Sequence, residues 1–122
     1  MTQKNLFIFI AIFVTIISIK AEDATIIAKE VISKQVDLLK AGNLENFKAC
    51  FTERQKARVT KESMAKGQKE ISNYTIDDLV ASAVEGEYKG EKTIKIKMAN
   101  GRTLTTLVLQ NGKWLADTIW FK

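Results

Sequence analysis

Residues 92–121 read KTIKIKMANGRTLTTLVLQNGKWLADTIWF, and the two Asn-Gly steps in that stretch decide the fold. Lys92 to Met98 alternates polar and apolar side chains without a fault, the period of a strand with one buried face. Asn100-Gly101 and Asn111-Gly112 each separate two such runs. Both central residues of a type I′ turn need positive φ, which Asn and Gly tolerate best, so each step predicts a tight hairpin. The stretch is therefore a three-stranded antiparallel meander.

Two-residue loops also set the register. The first places Ala99 opposite Arg102, Met98 opposite Thr103, Ile96 opposite Thr105 and Ile94 opposite Leu107. The second places Leu109 opposite Trp114, Leu107 opposite Ala116, Thr105 opposite Thr118 and Thr103 opposite Trp120. Opposed residues share a face. One face then carries Ile94, Ile96, Met98, Thr103, Thr105, Leu107, Leu109, Trp114, Ala116, Thr118 and Trp120, with no charge, and is expected to meet helices. The other carries Lys95, Thr106 and Asp117 in one row, which predicts a Lys95–Asp117 pair. It also carries a contiguous apolar group, Leu104, Val108, Leu115, Ile119 and Phe121, expected as a homodimer face, the other reading being a sheet curled so far that the strand ends cover themselves.

Working outward, a fourth strand is expected across 76–85, joined through the Gly86 to Gly90 region. On it Asp77 and Asp78 would point to opposite faces as a solvated pair. Before Tyr74 the period is helical. Asp23 is the cap candidate of a first helix whose stripe includes Ile27, Val31, Ile32, Val36, Leu38 and Leu39. Gly42 supplies a left-handed stop and Asn43 the next N-cap. A short helix follows with Leu44, Phe47 and Phe51. Thr52 with Gln55 predicts a capping box, and the next helical piece runs toward Ile71 with a break near Thr60. Its basic residues, Arg54, Lys56, Arg58, Lys61, Lys66 and Lys69, alternate with Glu53, Glu62 and Glu70. That mixture reads as a solvated helix face rather than a nucleic-acid surface.

Residues 1–21, MTQKNLFIFIAIFVTIISIKA, have Lys4 ahead of an apolar run from Leu6 to Ile19, then Ala21 before Glu22-Asp23. This is the pattern of a secretory signal peptide. The fourteen residues from Leu6 to Ile19, diluted only by Thr15 and Ser18, reach about 21 Å as a helix, short of the roughly 30 Å hydrocarbon core. The expectation is a signal segment over 1–21, cleaved after Ala21, and one α+β domain over 22–122, secreted or periplasmic. The membrane would be met only through the signal segment before cleavage. Loss of Lys4 and Lys20 lowers the net charge from +5 to +3.

Composition excludes several chemistries. The 122 residues include no His and one Cys, so a Ser-His-Asp triad, a Cys-His pair and a Cys/His zinc site cannot be built within the chain. No internal disulfide can form, and no cofactor or metal is implied. Cys50 reads as a small buried hydrophobe, or as an exposed thiol able to link two subunits. Asn73-Tyr74-Thr75 is a glycosylation sequon, meaningful only in a eukaryotic secretory pathway.

The order of a long helix, the AGNLENF turn and helix, further helix and a meander ending NGKWLADTIW resembles the nuclear transport factor 2-like superfamily across 22–122. The resemblance implies a curved four-stranded antiparallel meander wrapped on the N-terminal helices as a cone-shaped roll, a layout shared in outline with cystatins. It also implies an interior that often holds a ligand and an outer face that commonly dimerises. On that basis Trp114, Trp120, Thr103, Thr105 and Thr118 are the candidate pocket residues; a packed core with bonded Thr hydroxyls is the other reading of the same set. No catalytic residue is assigned. The functional expectation is an exported, non-catalytic domain that binds a small apolar ligand or a protein partner. The alternatives are an isomerase- or cyclase-type enzyme using carboxylate and Tyr groups, and a cystatin-like secreted inhibitor. For the last, no Gln-x-Val-x-Gly stretch is present.

Overall fold

The computed structural model describes residues 21–121. The export signal read in residues 1–21 therefore lies, apart from Ala21, outside the described residues. Among the described residues five helices precede four strands: α1 (Ala21–Ala41), α2 (Leu44–Lys48), α3 (Glu53–Lys56), α4 (Lys61–Ile71), α5 (Ile76–Leu79), β1 (Ser82–Tyr88), β2 (Glu91–Lys97), β3 (Thr103–Gln110) and β4 (Lys113–Ala116). The strands form one antiparallel sheet in the order β1-β2-β3-β4, the expected meander in an α+β fold.

α1 lies across β1 and β2. Its contact stripe is Ala24, Ala28, Ile32, Val36 and Leu39, all buried. The helix already spans Asp23, so Asp23 is an internal residue and not the cap expected of it. Its other end is as expected: Gly42 has φ 72, its N–H donates to the Leu39 carbonyl, and the Asn43 N–H donates to the Leu38 carbonyl. That pair of bonds is a Schellman stop. Asn43 then caps α2 by accepting from the Asn46 N–H at 3.2 Å.

Thr52 precedes α3 but makes no side-chain cap bond there; its hydroxyl is used by Asp117 instead. The break near Thr60 is a reciprocal capping box between Thr60 and Ser63 that starts α4. Thr75 and Asp78 form a second box, and this corrects the first strand: residues 76–79 are a helical turn, and β1 begins only at Ser82. Acidic side chains at a first helical turn bond its free N–H groups and suit its dipole, so adjacent Asp77 and Asp78 favour helix over strand. Asp78 serves the cap, and Asp77 pairs with Lys29 of α1 at 3.2 Å.

The body of the sheet keeps the expected register, with Ile94 opposite Leu107, Ile96 opposite Thr105, Leu107 opposite Ala116 and Leu109 opposite Trp114. Asn111 (φ 52) and Gly112 (φ 77) make the type I′ turn, and Lys89 (φ 51) with Gly90 (φ 81) makes another between β1 and β2. The other Asn-Gly step behaves differently. Met98 exchanges its bond with Arg102 across a three-residue loop, with only Gly101 at positive φ. Thr103 consequently faces Lys97, and an extra residue, Leu104, is taken up as a β-bulge before Ile96 meets Thr105. A loop one residue longer and a bulge of one residue cancel, so the strands beyond are in step while Thr103 and Leu104 exchange sides.

The core is closed by four aromatic rings. Phe47, Phe51 and Trp120 each meet Phe121 edge-on, with centroids 4.9, 5.7 and 5.8 Å away. The Trp120 indole N–H donates to Gln35 Oε1 at 2.8 Å inside this cluster. At the end of β4, Ala116 bonds Cys50 and Thr52, so the 50–52 segment runs beside it in parallel. The outer edge of β1 is paired with no strand.

Candidate functional site

The five residues expected in a common pocket do not share one: Thr103 and Trp120 border one opening, Thr105 and Thr118 bond each other, and Trp114 lines a different groove. Trp120 is packed in the aromatic core and bonded to Gln35. Thr105 is buried and shares a 2.7 Å hydrogen bond with the exposed Thr118 hydroxyl. Thr103 is turned outward by the bulge. Only Trp114 stands at a sizeable apolar opening.

The five residues expected on an apolar outer face are likewise dispersed. The bulge carries Leu104 into the core, and the chain turns after Ala116 so that Phe121 is buried as well. Val108 is buried on the outer side, Leu115 is half-buried beside Trp114, and Ile119 is half-buried against the core near Phe121.

On the outer side, Asp117 is not the partner of Lys95. It accepts from Arg54 Nε at 2.8 Å, from the second guanidinium nitrogen, and from the Thr52 hydroxyl at 2.7 Å. The bond from Arg54 is the main reason its carboxyl is held below the usual aspartate range; partial burial opposes the shift, and the Thr52 bond supports it. The pairing with Arg54 follows from the 50–52 segment, which brings the start of α3 alongside β4. An ionised, doubly bonded carboxylate is a structural clamp and a poor proton carrier. No Asp or Glu is buried among the described residues, where the buried polar side chains are Gln35, Thr52 and Thr105.

The apolar opening at Trp114 is a groove of about 450 Å³ between α1 and β4. α1 contributes Val31, Lys34, Gln35 and Leu38; the turn after α2 contributes Cys50; β4 contributes Lys113, Trp114 and Leu115. Each position has a local cause. Val31 and Leu38 are seven apart, two helical turns, on the flank of the α1 stripe, half-buried and packed against the core. Trp114 lies on the helix-facing side of β4, a last strand of four residues, so no further strand covers its ring. Gln35, 1% exposed, is fixed at the floor by Trp120 and by a long bond from its amide to the Cys50 carbonyl.

Cys50 is half-buried on this groove and its thiol donates to the Asn46 carbonyl at 3.5 Å. Burial raises its pKa, while the charges of Lys34 and Lys113 act in the opposite direction. The groove thus combines an aromatic and aliphatic wall, a fixed amide floor, the Asn46 side chain and two exposed lysines at its rim. Sequence reasoning found Trp114 but not its neighbours, because its face assignment ended at the sheet. The half-polar flank of α1, Val31 to Leu38, was the available signal.

Among the described residues no helix is long and apolar enough to cross a membrane, and no group of three or more acidic or Cys side chains could hold a metal ion. No family model, no curated protein and no solved structure matches this chain.

Proposed function

We propose that this chain is an exported, non-catalytic domain that binds a small apolar molecule in the α1–β4 groove. The observation that carries the reading is the half-buried Trp114 with Val31, Leu38 and Leu115 around an opening of about 450 Å³. Small-molecule sites are typically apolar clefts of roughly 300–1,000 Å³ with a few fixed polar groups, and Gln35 is such a group. Trp120 and Phe121 border an opening of about 280 Å³ that also carries Glu70 and Arg102, and an opening of about 460 Å³ on the outer sheet face carries Glu85, Glu87 and Asp117; the α1–β4 groove, by contrast, has no acid on its lining. Export is read from residues 1–21 alone.

The test is a neutral environment-sensitive dye, N-phenylnaphthylamine, titrated against the protein. Wild type should brighten the dye, and Leu38→Lys, a change at a half-buried rim position, should abolish that response while circular dichroism stays unchanged. Equal brightening by a folded Leu38→Lys variant would overturn the groove as the site.

A further inference from the structure

We propose that the ligand of the α1–β4 groove is a singly anionic amphiphile, an apolar chain or ring system ending in a carboxylate held between Lys34 and Lys113. This rests on the reading of the groove as a ligand site and adds the chemistry of what enters it.

Charge on the lining is the first observation. The groove has two charged residues, both lysines, and no acid. Three other openings each include at least one carboxylate: Glu70 beside α4, and Asp117 with neighbouring glutamates in the two on the outer sheet face. Lys29, Lys56 and Lys92 pair with Asp77, Glu53 and Glu85, while most other lysines take part in no ion pair among the described residues; Lys34 and Lys113 are set apart by sharing one opening that has no acid. Lys34 and Lys113 take part in no ion pair among the described residues.

Convergence is the second. Lys34 comes from the middle of α1, and Lys113 is the first residue of β4, directly after the Asn111-Gly112 turn. Although they belong to different layers of the fold, both lie near enough to Cys50 for their charges to act on its thiol. Both lysines are exposed at the rim of one largely apolar opening, and an anion bound between two like charges there relieves their mutual repulsion.

The wall completes the argument. Trp114, Val31, Leu38 and Leu115 offer no hydrogen-bonding side-chain group except the indole N–H, so the body of the ligand must be apolar while its end is charged. One carboxylate suits the site, because a ligand charged along its length would leave charge against the aliphatic wall.

The experiment compares decanoate with 1-decanol, equal in chain length and different in charge, by titration calorimetry below their aggregation limits. Decanoate should bind at least about tenfold more tightly, a preference that weakens in high salt and disappears in the Lys34→Met/Lys113→Met variant. Restoring both positions as Arg should restore the preference. If both compounds bind with equal affinity, or the double variant keeps the preference, the anionic ligand is overturned while the groove reading survives. If neither compound binds and the neutral dye also gives no response, both fall together.

Discussion

The Trp120 indole nitrogen and Gln35 Oε1 are 2.8 Å apart although 85 residues separate them in the chain, and the bond is buried. It ties the C-terminal segment to the middle of α1 and satisfies two polar groups inside an aromatic core. Trp120→Phe removes the donor and leaves the Gln35 oxygen unpaired, at an expected cost of about 1–3 kcal/mol. Gln35→Leu in the same background should recover part of the loss, since both polar partners are then gone. Urea unfolding of the two single variants and the double variant measures the coupling; additive losses would show that the bond contributes nothing.

Asp117 predicts an acid-dependent stability. Its folded pKa lies below the ordinary 3.8 because Arg54 and Thr52 hold the charged form. The stabilisation is therefore complete above the unfolded value and is lost as pH falls through the lower folded one. Asp117→Asn should melt at a lower temperature than wild type at about pH 7, and the gap should shrink as acid is added. A constant gap down the acid range would remove the ionised carboxylate from the account.

Gly67 sits inside α4, where alanine normally gains about 1 kcal/mol. Here a Cβ would come within 2.5 Å of the Phe121 ring and 3.0 Å of the Phe121 carbonyl oxygen. That ring is wedged among Phe47, Phe51 and Trp120 and cannot retreat. Gly67→Ala should thus destabilise by about 1–3 kcal/mol, opposite in sign to helix propensity. A thermal melt suffices to read the sign.

The bulge at Leu104 makes a prediction that distinguishes two faces of one strand. Leu104→Ala should cost about 2–4 kcal/mol, as a core truncation does. Thr103→Ala, one residue earlier and exposed, should stay within about 0.5 kcal/mol of wild type. The reverse order would mean that β3 carries no bulge and that Thr103 faces the helices.

Strand pairing was legible wherever local turn chemistry determined it. Asn111-Gly112 adopts the two positive φ angles its residues favour, and every pair from Gln110–Lys113 to Leu107–Ala116 follows. Asn100-Gly101 shows the limit of that reasoning. The same dipeptide supports a two-residue loop or a three-residue loop ending on Gly101, and the difference lies in a bulge that no local signal marks. One residue's ambiguity moved Leu104 from surface to core and Thr103 the other way. The strand expected over 76–85 starts only at Ser82 for a related reason: Thr75 and Asp78 satisfy a capping box, and that local bonding outweighed a weak alternation over 76–79. The Arg54–Asp117 pair and the α1 wall of the groove depend on how distant segments meet, and period alone says nothing about that. Gly42 and Asn43 were readable because stop and start are both made by adjacent backbone.

The segment that runs beside Ala116 has a consequence for how copies of this protein could associate. With 50–52 bonded along the end of β4, the edge of β1 is the only full-length ladder left open among the described residues. Two copies meeting there by strand addition would form one eight-stranded sheet whose two ends are the β4 strands, each four residues long and bridged by Phe51 at Ala116. Ends that short and already partly bonded give a further strand little to pair with, which is a physical obstacle to growth from edge to edge into a fibre.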